Sequence, residues 1–293
     1  MKFVMHFVTH FVTKFVREYL IAVQFFTRIP ITGRLAEWVG FSPDLLRASA
    51  AHFPGVGVLV GAIAAASYAV MAALLPESVF TPLTAATLCT VVTVLATGGF
   101  HEDGLADVAD GLGGSIDTAR ALEIMKDSRV GAFGAMALVL ALLAKVALLA
   151  ILASVEGVPN GWVGGLEESP LNGWYVCAAL FAGHVISRGL PLLLIYLLPH
   201  VGDTATSKSK PLAEQIAPAG LLLALAWCLA ALLLAGALID LSSLLVACGF
   251  AVVALLWMGR LFKRRLEGFT GDCLGATQQV CEIAFYFGLA VTL

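Results

Sequence analysis

Long apolar runs broken by short polar ones dominate this chain. Seven stretches approach the roughly 20 mostly apolar residues that a helix needs to cross a bilayer. They lie at about 51–75, 80–100, 131–154, 174–198, 217–238, 243–258 and 273–293. The sixth is short, and the seventh carries Glu282 and two Gln. Ahead of them, Phe3-Val4, Phe7-Val8, Phe11-Val12 and Phe15-Val16 recur every four residues, with Lys2, His6, His10 and Lys14 in register. Apolar pairs at that spacing make one broad helical stripe. The polar positions beside them are Lys, His, Thr, Arg and Glu, the pattern of a helix lying in the membrane interface. His6 and His10 stand at i, i+4, a metal-compatible spacing that a solvated polar face explains more simply. No small-residue cleavage site follows, which argues against a signal peptide. The pattern predicts an all-α, polytopic integral membrane helix bundle of about seven transmembrane helices. Residues 1–30 read as an amphipathic interfacial helix and residues 31–293 as a single polytopic domain.

Composition agrees. Sixty per cent of the 293 residues are apolar and 13% are charged, with a mean hydropathy of +0.94. Soluble domains are about 45–50% apolar and about 25% charged. A disordered chain and an ordinary soluble enzyme are thereby set aside, and the lipid bilayer becomes the first partner. The net charge of −3 provides no basic surface for nucleic acid. The six Cys form no CxxC and lie mostly in apolar segments, so they read as packing residues. The oligomeric state is left open, a homo-oligomer included.

The basic residues test the span map. Lys2, Lys14, Arg17, Arg28, Arg34 and Arg47 precede the first span; Arg120, Lys126 and Arg129 lie between the second and third. Lys208 and Lys210 lie between the fourth and fifth, and Arg260, Lys263, Arg264 and Arg265 between the sixth and seventh. The intervening loops carry Glu77, Glu156, Glu167, Glu168 and Asp240 instead. Such alternation is what the positive-inside rule predicts, with the N-terminus and every basic loop cytoplasmic. Lys145 and Arg188 fall inside spans, where charge is costly. Snorkelling or local pairing accounts for Lys145. Arg188 has His184 four residues before it on the same helical face, and is expected to point into a polar chamber opening to the cytoplasm.

The stretch His101-Glu102-Asp103-Gly104-Leu105-Ala106-Asp107-Val108-Ala109-Asp110-Gly111 carries the chemistry. On a helix, Asp103, Asp107 and Asp110 at i, i+4 and i+7 share one stripe, at about 100° per residue. Three carboxylates so spaced repel one another unless a cation lies between them. Oxygen donors without a His or Cys cage suit Mg²⁺ or Mn²⁺, which keep positions open for substrate phosphates. Lys126, Asp127 and Arg129 follow: Asp127 completes a metal set, and Lys126 and Arg129 hold phosphate oxygens. Asp272, in the Thr270-Gly271-Asp272 turn, enters the last span from the same face and reads as a substrate-binding residue. Glu282, ten residues deeper, is expected to pair with a buried base such as Arg188 or to be neutral. These parts describe a membrane-embedded transferase acting on a diphosphate, with positioning and charge neutralisation as its main work.

Five segments, in order from about residue 17 to the C-terminus, carry a family resemblance: Phe25-Phe26-Thr27-Arg28-Ile29-Pro30, Phe53-Pro54-Gly55-Val56-Gly57, His101 to Gly114, Ile124 to Gly134, and Thr270-Gly271-Asp272. Together they resemble the cobalamin (5′-phosphate) synthases, or adenosylcobinamide-GDP ribazoletransferases. The resemblance implies a multi-pass, Mg²⁺-dependent enzyme of cobalamin biosynthesis in the prokaryotic cell (inner) membrane, its active site cytoplasmic. It implies joining of α-ribazole, or its 5′-phosphate, to adenosylcobinamide-GDP, with GMP as leaving group. A ribose hydroxyl would attack the phosphorus nearest the corrinoid. Asp103, Asp107, Asp110 and Asp127 would form the metal cluster, and Arg28, Lys126, Arg129 and Arg188 would contact phosphate. Asp127 and His101 are the two candidates for general base. Glu102 stands where the family pattern is variable and often apolar, and the Phe-Val repeat lies outside the pattern.

Two rivals are weighed. A CDP-alcohol phosphotransferase has a similar Asp cluster, but Asp103-Gly104-Leu105-Ala106-Asp107 lacks the Arg of that signature. A divalent-cation transporter would suit intramembrane charge, but most acids here sit in one loop and no inverted repeat is evident.

Overall fold

The computed structural model describes residues 2–154, 173–201 and 215–293. Lys208, Lys210, Glu156, Glu167, Glu168 and the side chains of His6 and His10 lie outside the described residues. The described residues are mostly helical. In order the helices are α1 (Lys2–Phe26), α2 (Gly33–Val39), α3 (Pro43–Ser49), α4 (Phe53–Leu74), α5 (Thr81–Thr97), α6 (Phe100–Gly114) and α7 (Thr118–Met125). There follow α8 (Ala132–Ser154), α9 (Trp174–Gly189), α10 (Leu192–Leu197), α11 (Pro218–Ala235), α12 (Leu241–Arg265) and α13 (Gly271–Ala290). Among the described residues the only β pairing is an isolated bridge between His200 and Phe269.

The result is an all-α polytopic membrane bundle. Among the described residues, five helical segments are long and apolar enough to cross a bilayer: Pro43–Leu74, Ala132–Ser154, Trp174–Leu197, Pro218–Ala235 and Leu241–Arg265. The pair α5 and α6 makes a sixth only if its 90° bend is counted as one broken span. The expected seventh, α13, is 20 residues long but fails on apolarity. Asp272, Thr277, Gln278, Gln279 and Glu282 lower its mean, and the last four are buried. A helix enclosed by other helices need not be apolar all round, so its polar face is turned inward. The span that looked short, near 243–258, is a 25-residue helix whose last turn carries Lys263, Arg264 and Arg265. Cations there complement the negative helix end.

Two kinds of helix surface result. On α8, Val139, Leu140 and Leu143 are exposed, and on α11 Leu222, Leu225, Leu229 and Leu233. Such an apolar belt is suited to lipid. By contrast α9 is buried from Val176 to Arg188 except at Phe181, clasped between α4 and α13. Close approach of α4 requires a residue without a side chain: a Cβ on Gly57 would stand 2.8 Å from the Cα of Val185. The α1 helix joins the core through Ile21, Ala22, Val23 and Phe26, while Phe11 and Val12 stay exposed.

This packing generates a first prediction. Gly57→Leu forces α4 and α9 apart and is expected to cost about 1–3 kcal/mol of stability. Thermal unfolding of the detergent-solubilised protein measures it; an unchanged midpoint would refute the close-packed α4–α9 interface.

Candidate active site

The acidic stripe is carried on α6, as its spacing predicts, and the fold fixes that helix at both ends. Gly98 and Gly99 both adopt left-handed conformations, with φ of 70° each, which only glycine reaches without strain. They turn the chain through a right angle out of α5. Arg28 is tied to the same corner: its backbone N–H donates to the Ala96 carbonyl at 2.7 Å. At the other end the Arg265 guanidinium donates to the carbonyls of Leu112 at 3.0 Å and Ser115 at 2.6 Å. It thereby satisfies carbonyls that a helix end leaves orphaned. Along its length α6 packs on the start of α13, where a Cβ on Gly104 would stand 2.8 Å from the Asp272 carbonyl oxygen.

That close approach brings Asp272 to the stripe. Burial, and then the carboxylates of Asp272, Asp103 and Asp110, push the Asp107 carboxyl up to about 7. Burial and the Asp103 charge push Asp272 up to about 6, against an opposing hydrogen bond from Thr270. Asp103, Asp107 and Asp272 therefore share one electrostatic neighbourhood. Their oxygens are donors of the kind that hard divalent cations take. Among the described residues no three acidic, His or Cys side chains converge on a single point as a closed metal cage. Mg²⁺ commonly takes one or two carboxylates and leaves its other positions to water and phosphate, and this open arrangement fits that habit.

Asp110 and Asp127 have other partners. The Asp110 carboxylate is buried and accepts the backbone N–H of Gly131 at 2.7 Å and of Gly134 at 2.8 Å. It thus caps the first turn of α8, where a negative charge is favoured. Asp127 is gripped by the exposed Arg129, which donates through Nε at 2.9 Å and through Nη2. This hydrogen bonding holds the Asp127 carboxyl down to about 2. A carboxylate so held accepts a proton poorly near neutrality. Asp110, Asp127, Lys126, Arg129 and Arg120 nevertheless line one open cavity of about 560 Å³ beside the stripe. Here the three basic side chains of the loop face the acidic ones.

His101 and Arg188 lie deeper. The His101 ring is buried and stacks on Phe53 at 5.5 Å, and the Arg188 guanidinium sits 5.9 Å above the same Phe53 ring. Arg188 donates to Nδ1 and to the carbonyl of His184, each at 2.9 Å. Glu282 pairs with Lys145 rather than Arg188: the two charges meet at 2.7 Å and both are buried. Glu282 accepts from the Tyr286 hydroxyl at 3.0 Å and from Gln278 Nε2 at 2.7 Å. Gln278 also donates to Ser187 at 2.9 Å, and Gln279 donates to Gln278 and to Glu102, each at 3.0 Å. A hydrogen-bonded chain thus runs from Lys145 to the residue beside Asp103. Sequence reasoning gave Lys145 no more than snorkelling or a local pairing and assigned no individual role to Gln278, Gln279 or Arg265. The spacing of Gln278, Glu282 and Tyr286, four residues apart on one face of an otherwise apolar helix, was the available signal.

The family model for cobalamin-5-phosphate synthase (CobS) matches residues 18–290. The chain belongs to this family. A protein of Polaromonas sp. (strain JS666 / ATCC BAA-500), named adenosylcobinamide-GDP ribazoletransferase, is 69% identical over 277 residues, covering 94% of this chain and 97% of that one. Relatives of the same name occur in Albidiferax ferrireducens, 58% identical over 94% of this chain and 98% of that one, and in Leptothrix cholodnii, 42% identical over 93% and 94%. No solved structure matches. The motif resemblance read from the sequence is thereby borne out, and the CobS family takes precedence over the phosphotransferase and transporter rivals. The Phe-Val repeat before residue 15 falls outside the matched range.

Two predictions follow from the carboxylates. In the cation-free protein, Asp107 at about 7 keeps a proton that the unfolded chain releases near 4. Native protein then binds more protons than unfolded protein between those values, so stability falls as pH rises through that window. The unfolding midpoint in EDTA is expected to drop from pH 5 to pH 8, and Asp107→Asn to flatten the drop. A midpoint independent of pH in the parent protein would contradict the cluster. Asp110→Ala, which strips both acceptors from the first turn of α8, is expected to cost about 2–3 kcal/mol. Asp110→Asn should fall between it and the parent; equal midpoints for all three would remove the cap.

Proposed function

We propose that this chain is a Mg²⁺-dependent ribazoletransferase of the prokaryotic cell (inner) membrane, with its N-terminus and basic face in the cytoplasm. It joins α-ribazole, or its 5′-phosphate, to adenosylcobinamide-GDP and releases GMP. Family membership supports the reaction, through what the relatives' names say they act on. One juxtaposition supports the site: Asp103, Asp107 and Asp272 share a neighbourhood next to a cavity lined by Arg120, Lys126 and Arg129. A diphosphate bridging those two sets meets oxygen donors through a cation on one side and guanidinium or ammonium groups on the other.

In the reaction a ribose hydroxyl oxygen forms a bond to the phosphorus nearest the corrinoid, the bond to the GMP oxygen breaks, and the hydroxyl proton is released. Little covalent work falls to the protein in such a transfer. When bound, Mg²⁺ would be held by one or two of Asp103, Asp107 and Asp272 and would neutralise the charge that grows on the leaving phosphate. Arg129 presents a planar fork that matches phosphate oxygens, and Lys126 a point charge. The short loop bearing both lies between α7 and α8, and its position is fixed by Asp110 at the start of α8.

The test is incubation of purified protein with adenosylcobinamide-GDP and α-ribazole phosphate, with GMP measured in Mg²⁺ and in EDTA. Release in Mg²⁺ alone is expected. Asp103→Asn and Asp107→Asn should each lower turnover by on the order of 10²-fold or more while membrane insertion is kept. Near-parental turnover in both variants would remove the carboxylates from the chemistry.

A further inference from the structure

Nine buried side-chain nitrogen and oxygen atoms among the described residues lack a hydrogen-bond partner, and five belong to His101, Glu102, His184 and Arg188. They are both ring nitrogens of His101, Oε2 of Glu102, Nε2 of His184 and Nε of Arg188. The four residues adjoin one another. His101 and Glu102 are consecutive on α6. Arg188 bonds His184 at 2.9 Å and shares the Phe53 ring with His101. Gln279, which holds the other oxygen of Glu102, is bonded to Gln278, which reaches Ser187 beside Arg188. Buried polar atoms almost always have partners. Their unmet capacity is gathered at this end of the network. At the far end Glu282 is complete, with Lys145 and Tyr286 on one oxygen and Gln278 on the other.

Charge sets what this buried cluster, termed the recess below, accepts. Glu102 and Glu282 are matched by Lys145 and Arg188, so the enclosed set is neutral when both histidines are neutral. A phosphate added here would bring unbalanced negative charge into a low-dielectric interior, which is costly. An uncharged group adds none. The open valences are of both kinds: the Arg188 Nε–H only donates, the Glu102 oxygen only accepts, and imidazole nitrogens do either. A complementary group must both give and take hydrogen bonds.

We infer that the recess formed by His101, Glu102, His184 and Arg188 binds an uncharged hydroxyl or carboxamide of a substrate, while the phosphates stay at the carboxylate stripe. The inference rests on the ribazole-transfer reading, in which that chemistry has two sources, the sugar hydroxyls of the acceptor and the carboxamides of the corrinoid. It reassigns Arg188 from phosphate contact to recognition of a neutral group. It also gives Glu102 a partner role in this chain, where the family pattern is variable.

Two measurements test it on the full-length protein in detergent. In EDTA, where no transfer runs, equilibrium binding of α-ribazole and of adenosylcobinamide, neither of which carries a phosphate, is measured on the parent protein. One of the two is expected to bind, and which one binds identifies the source; binding of neither overturns the inference. Next, the variants Glu102→Gln and Glu102→Gln/Arg188→Gln are assayed for GMP release, the double variant keeping the buried charges balanced. The KM for the substrate identified by binding is expected to rise about tenfold or more, with the inhibition constant of pyrophosphate unchanged within about twofold. A parallel rise for pyrophosphate would make the recess a phosphate site, and unchanged KM values in a folded double variant would make the network structural; either overturns the inference. Absence of GMP release by the parent protein would sink the transfer reading instead, and the EDTA binding result would stand apart from it.

Discussion

Hydrocarbon offers no partner to a polar side chain, so a membrane bundle must pair its interior charges with one another. Here that constraint falls on Lys145 and Glu282, which meet at 2.7 Å in the interior. A buried ion pair is weak evidence for added stability against an apolar alternative, yet removing one member leaves a charge stranded at a cost of about 3–5 kcal/mol. What the pair supplies is register. It joins α8 to α13, and α13 in turn reaches α9 through Gln278 and Ser187 and α6 through Gln279 and Glu102. Four helices are thereby set against one another by contacts that tolerate no sliding. The helix that carries Thr277, Gln278, Gln279 and Glu282 accordingly buries them among the others.

The acidic helix inherits its position from that interior. It leaves α5 at a right angle, is held at its end by Arg265 and clamps the start of α8 through Asp110. None of these contacts uses Asp103 or Asp107. The scaffold therefore brings those carboxylates together with Asp272 against their mutual repulsion, which is why burial and neighbouring charge hold the Asp107 proton up to about 7. Under the proposed function, a cation at the stripe would relieve the repulsion that the scaffold carries, and packing of α6 would thereby favour the ion.

Much of this was legible in the sequence, and the limits have physical causes. Helix identity, the alternation of basic loops and the Asp stripe are properties of one segment at a time, and periodicity reports them. Asp110 and Asp127 fit the stripe and loop patterns equally well, yet one caps α8 and the other is gripped by Arg129. Those choices depend on which backbone and which cation folding brings near, and spacing does not encode them. Glu282 was expected to pair with a buried base such as Arg188 or to be neutral; it does pair with a buried base, but that base is Lys145 of α8. The sequence pattern counts α13 as a seventh span, whereas its apolarity falls short of one, because Thr277, Gln278, Gln279 and Glu282 on that helix are buried among other helices.

The charges of this protein are graded by how readily they can be exchanged. Within the bundle, Lys145, Glu282, Arg188 and Glu102 are tied to fixed partners in a medium where separation is costly. At the basic face, Arg129 and Asp127 form an exposed pair, and such pairs are weak and screened by salt. An incoming phosphate can take Arg129 from Asp127 at little cost, whereas it could not take Lys145 from Glu282. Under the proposed function, exchange of ionic partners during turnover would be confined to the mouth of the site, and the interior would retain the geometry against which each substrate is aligned. A bundle with its loose charges inside and its tight ones outside would lose register whenever substrate bound.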